Sequence, residues 1–66
     1  MPFVEITLWK GIEDKKKERL VAQVTDVMTK IIECPKEAIH IILREEPREN
    51  WANGGIQHSK KFRGEA

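Results

Sequence analysis

Few side chains in this 66-residue sequence combine the type and the placement that chemistry needs, and Pro2 stands first among them. A small residue after Met1 normally lets the initiator methionine be removed, and Pro2 then opens the chain with a free secondary amine. Such an amine titrates in the α-amino range of about 7.7–8.0 or somewhat higher. Apolar walls or neighbouring cations lower that value further. A base poised near neutrality on a rigid first strand is suited to moving protons. With Met1 retained, the same nitrogen is an amide without basicity. The other reactive types offer less. Cys34, His40 and His58 lack metal-ligand spacing, and Cys34, beside Pro35, reads as an inert small residue. Gly54-Gly55 is neither a dinucleotide fingerprint nor a P-loop. No cofactor and no metal are expected.

The elements that must position Pro2 follow from periodicity. Val4, Ile6 and Leu8 alternate with Phe3, Glu5, Thr7 and Trp9, which is the repeat of a strand. After Gly11, the residues Leu20, Val21, Val24, Val27, Met28, Ile31 and Ile32 recur at spacings of three and four, the stripe of an amphipathic helix. Glu13 and Asp14 favour its N-terminus, Glu13 and Lys17 form an i,i+4 pair, and Pro35 disfavours helix at Cys34. The helix is expected over Glu13–Glu33. A second strand is expected over Ala38–Arg44, rich in β-branched residues. Ile39, Ile41 and Leu43 lie on one of its faces; His40, Ile42 and Arg44 lie on the other. Asn53-Gly54-Gly55 signals a tight hairpin turn. The tail from His58 to Ala66, which carries Lys60, Lys61 and Arg63, is expected to be loose or to pack on a neighbour.

Strand, helix and strand in this order give a βαβ unit with two parallel strands and a right-handed crossover. The fold class is α+β, one small domain over 1–66. A chain this short hides only about 60% of its unfolded surface. One cysteine excludes an intrachain disulfide and suits a reducing, cytoplasmic setting. One helix covers one face of a two-stranded sheet, so copies are expected to pair through edges or faces. Twelve Lys+Arg against eleven Asp+Glu leave a net charge of +1, which points to neither nucleic acid nor membrane as a partner. Lys15-Lys16-Lys17 reads as a solvated helix face. No apolar run approaches the ~20 residues that cross a bilayer, and the first residues lack the pattern of a signal peptide.

Pro2 opening a strand, Gly11 after it, a long helix ending at Cys34-Pro35, a strand from Ile39 to Glu45 and the run Asn50-Trp51-Ala52-Asn53-Gly54-Gly55 together resemble the 4-oxalocrotonate tautomerase family. The resemblance runs ungapped from Pro2 to about Gly55. It implies a βαβ subunit with a C-terminal β-hairpin, assembled as dimers into a homohexamer. It also implies cofactor-free catalysis, with the amino-terminal proline as general base carrying a proton from the hydroxyl of a 2-hydroxydienoate or similar enol to carbon. Pro2 falls at that base; Trp51 and Trp9 fall at pocket-lining positions, with core or interface packing as the alternative for both.

The family's dicarboxylate-binding members have arginines where this sequence has Ile12 and His40. Loss of such a charge-assisted bond costs about 1.5–3 kcal/mol. Arg44, on the His40 face and roughly 13 Å along the strand, is a candidate replacement, and Arg48 and Lys10 lie near loop positions that could reach a neighbour's pocket; the alternative for all three is a plain surface charge. His40 reads as a polar substrate contact, a helper in proton transfer or an interface residue. The expected function is a proline-based tautomerase of a monoacid enol, such as a 2-hydroxydienoate or an arylenolpyruvate. The alternative is a non-catalytic helper subunit of a hetero-oligomer whose other chain supplies the missing groups.

Overall fold

A computed structural model describes residues 1–62. Its order is β1 (Phe3–Trp9), α1 (Asp14–Ile32), β2 (His40–Glu46), β3 (Ala52–Asn53), β4 (Ile56–Gln57) and a single helical turn, α2 (His58–Lys61). The strands β1 and β2 pair in parallel, from Phe3 opposite His40 to Trp9 opposite Glu46. This is the expected βαβ unit. The antiparallel pair β3 and β4 is the expected hairpin. Its turn residues Gly54 and Gly55 have φ of 64° and 80°, a region that side-chain-bearing residues rarely enter.

Val4, Ile6 and Leu8 are half-buried whereas Phe3, Glu5 and Thr7 are exposed, so α1 shields the first set. In register with them lie Ile41, Leu43 and Glu45. Glu45 fastens the helix and its leading loop to β2. Its carboxylate receives Lys17 Nζ at 2.9 Å and the Gly11 backbone N–H at 3.3 Å. The hydrogen bond from Lys17, reinforced by its charge and by the backbone N–H groups of Gly11 and Ile12, holds this carboxyl below the usual glutamate range against the opposing effect of desolvation. The helix ends as Pro35 requires. Glu33 turns into the left-handed region at φ 60°, and its N–H bonds the Thr29 carbonyl at 2.9 Å.

Two expectations are corrected. The second strand begins at His40, later than Ala38, because Pro35 opens a 3-10 turn over Lys36–Ala38 closed by bonds from Ala38 to Pro35 and from Ile39 to Lys36. The tail is not loose through Phe62: His58–Lys61 forms a turn of helix and packs on its own chain, with His58 and Phe62 against Trp9. The remainder of the tail, 63–66, lies outside the described residues.

The molecule is a slab of 42 × 25 × 14 Å with a radius of gyration of 14.9 Å, against about 11 Å for a compact chain of this length. No described residue is buried, and Ile31 and Phe3 remain 73% and 61% exposed. Covering such a side chain is worth about 1.5–3 kcal/mol. The fold therefore leaves both the outer edge of α1 and the open face of the sheet to association.

Two outcomes follow from these contacts. Thermal unfolding is expected to depend on protein concentration, with a midpoint several degrees lower after roughly a hundredfold dilution; a midpoint that does not move rejects the need for association. A carboxyl with a lowered folded pKa contributes stability above the ordinary glutamate value and loses it as the pH falls through the folded value. Urea midpoints measured from neutral pH down into that acid window should therefore fall more steeply for the wild type than for Glu45→Gln.

Candidate active site

The parallel register places Pro2 beside the start of β2. The His40 backbone N–H donates to the Pro2 carbonyl at 3.1 Å, which extends the ladder by one residue beyond Phe3. Pro2 is half-buried, while Met1 ahead of it is 88% exposed. The rings of Phe3 and His40 stack with centroids 5.8 Å apart and planes 20° from parallel. Pro2 and His40 are thus brought together at one end of the sheet by a backbone bond and an aromatic pair, both dictated by the register.

Trp9 and Trp51 meet at the opposite end, through a residue that the sequence did not single out for this role. The Trp9 Nε1–H donates to His58 Nδ1 at 2.9 Å. With Nδ1 accepting, the proton of a neutral imidazole resides on Nε2, which faces Asn53 Oδ1 at 3.1 Å in the hairpin. The same imidazole stacks on Trp51, 5.4 Å between centroids and 15° between planes, and meets Phe62 edge-on at 5.0 Å. The backbone supports the stack, since the His58 N–H donates to the Trp51 carbonyl at 2.9 Å and the Trp51 N–H to the Arg48 carbonyl at 3.2 Å. Trp51 Nε1 is buried with no acceptor among the described residues. Stacking and backbone bonds therefore orient this ring.

Arg48 closes the cluster. Its guanidinium carbon lies 4.4 Å from the centre of the Trp9 ring, and Nη1 donates to the Phe62 carbonyl at 3.0 Å. Arg44 is elsewhere. It sits opposite Thr7, midway along the sheet, with Nε 3.5 Å from Glu5 Oε1 in an exposed pair. Ile12 lies in the loop whose backbone serves Glu45, so the N–H groups at that position are already engaged by an internal carboxylate.

The five candidates therefore separate into three places: Pro2 with His40, Arg44 with Glu5, and Trp9 with Trp51. Trp9 is the last of the seven residues of β1, seven strand rises beyond Pro2, a span of about 23 Å. Arg48, His58 and Phe62 complete the aromatic end. A trace of them exists in the sequence, where His58 and Phe62 stand four apart as on one turn of helix, but nothing local says that this turn folds back on Trp9.

His58 holds both of the chain's tryptophans, so near-ultraviolet circular dichroism reads the cluster directly. His58→Ala should lose most of the tryptophan band and cost about 1–3 kcal/mol through the orphaned Trp9 N–H. His58→Asn, whose amide oxygen can accept from Trp9, should retain most of both. An unchanged band in His58→Ala would show that the imidazole does not orient the rings.

Comparison with known proteins agrees with the fold. The family model described as "Tautomerase enzyme" matches residues 2–61. A probable tautomerase from Listeria innocua is 44% identical over 59 residues, covering 89% of this chain and 97% of its own length. One from Streptococcus thermophilus is 35% identical over 60 residues, covering 91% and 98%. Among solved structures, a 4-oxalocrotonate tautomerase isozyme from Methylibium petroleiphilum superposes with a TM-score of 0.88 at 31% identity, covering 94% of this chain and all of that one. With the proline, the βαβ core and the hairpin all inside the matched span, the chain belongs to the tautomerase family.

Proposed function

We propose that this protein is a cofactor-independent keto–enol tautomerase in which Pro2, freed by removal of Met1, is the general base. The observation that carries the reading is the placement of Pro2. It is half-buried and its carbonyl is fixed to β2, whereas the one residue that blocks its nitrogen projects into solvent. Membership of the tautomerase family supports the same reaction class.

The free secondary amine takes the proton from the hydroxyl of a 2-hydroxydienoate or arylenolpyruvate. The electron pair of that O–H bond becomes the carbonyl π bond, and the π pair of the enol double bond, relayed through the second double bond in a dienoate, forms the new C–H bond with the proton that the prolinium gives up. No atom is gained or lost and no redox partner is needed. His40, beside Pro2, contacts the substrate's polar end or an adjoining copy.

Trp9 and Trp51 wall the pocket. Because a single chain holds Trp9 about 23 Å from Pro2, a pocket containing base and wall takes the base from one copy and the aromatic wall from another. The assembly is a homohexamer, as the family resemblance implies. Arg44, paired with Glu5, acts on substrate only by leaving that exposed pair, which costs little.

The test is the mass of the protein together with its ketonisation rate on monoacid enols. The active protein should lack Met1, and Pro2→Ala should lower kcat by about 10²–10⁴, the usual worth of a positioned base. Activity in a protein that keeps Met1, or activity indifferent to Pro2→Ala, rejects the proline mechanism.

A further inference from the structure

We propose that Arg48 is the carboxylate-recognising group of this protein, a monoacid anchor built on the face of Trp9. The inference deepens the tautomerase reading and rests on it for the identity of the substrate, but its geometry is independent of Pro2.

Three observations lead to it. The first is charge accounting. Among the described residues, Lys17 is engaged by Glu45 and Arg44 by Glu5, whereas Arg48 meets no carboxylate within 4.0 Å. Glu46, on the neighbouring stretch of chain, receives Asn50 Nδ2 at 3.3 Å instead. Arg48 is half-buried, and no counter-ion for it lies among the described residues.

The second is preorganisation. The Arg48 guanidinium carbon sits over the Trp9 ring, and the Phe62 carbonyl takes one of its five N–H bonds. The guanidinium is thereby held at two points, and its remaining donors meet no acceptor among the described residues. That is the condition for bidentate capture of a carboxylate, and a lysine could not meet it.

The third is chemistry by location. Arg48 shares its cluster with Trp9 and Trp51, the flat apolar surfaces that an aryl or dienyl tail would use, so cation and apolar wall form one recognition unit. The ligand class is a planar unsaturated acid with one carboxylate. Dicarboxylates find no second cation in this cluster among the described residues.

The experiment follows the two indole N–H resonances of the assembled protein while sodium benzoate is added, with benzamide as the uncharged counterpart. The Trp9 resonance should respond to benzoate at concentrations at least tenfold lower than to benzamide. Arg48→Gln should weaken benzoate roughly ten- to a hundredfold, so that the two probes converge, and Arg48→Lys should fall between. Wild-type protein that binds neither probe, or binds both equally, overturns the inference even if Arg48→Gln fails to assemble, as does benzoate binding indifferent to Arg48→Gln. In parallel, the acid-over-ester ratio of kcat/KM for an enolpyruvate and its methyl ester should collapse toward one in Arg48→Gln. Arg48-dependent benzoate binding in a protein that ketonises no enol would reject the proline mechanism and leave the anchor standing. Pro2-dependent ketonisation with an unchanged acid-over-ester ratio would do the reverse.

Discussion

Two strands and one helix cannot enclose a volume, and the organisation of this protein answers to that constraint. The helix α1 shields Val4, Ile6, Leu8, Ile41 and Leu43 from one side only, and none of these becomes buried within the chain. What holds the subunit in shape is therefore a set of pins. Glu45 ties the loop before α1 to β2 through Lys17 and Gly11, His40 ties the start of β2 to Pro2, and His58 ties the hairpin to Trp9. Each joins elements distant in sequence and contributes what a missing core would otherwise supply. The apolar surface left over, at Ile31 on the helix and Phe3 on the sheet, is the driving force available to association.

Much of this was legible in the residues because it depends on local rules. The two-residue period of Phe3–Trp9, the three-and-four spacing from Leu20 to Ile32, the stop imposed by Pro35 and the Gly54-Gly55 turn each act over a few positions, and each appears where expected. The beginning of β2 was misplaced because the β-branched character of Ile39 argued for strand. Pro35 had already committed the next residues to a 3-10 turn, and a closed turn outweighs single-residue propensity. Pro2 could be singled out from its type and its position alone.

The aromatic end was illegible for a different reason. The bond between Trp9 and His58 joins residues 49 apart in sequence, and no periodicity encodes a contact of that separation. His58 looked like an isolated histidine in a charged tail, and Arg48 like a loop cation. Their meaning appears only when the hairpin doubles the chain back and sets imidazole, indole and guanidinium on the same few ångströms. Arg44 shows the converse. Its strand face follows from the alternation of β2, yet Glu5 on the adjacent strand engages it, a partner that only the register between β1 and β2 reveals.

The parallel register has one more consequence, for descent. Since Pro2 precedes β1 and Trp9 ends it, the proposed base and the proposed wall lie at opposite ends of one strand, and on that proposal a shared pocket has two parents. After a gene duplication, each daughter can lose one of the two ends without silencing every pocket of a mixed assembly. On that proposal the fold lends itself to division of labour between sister chains, and selection can act on the two termini of one strand as though they were separate loci.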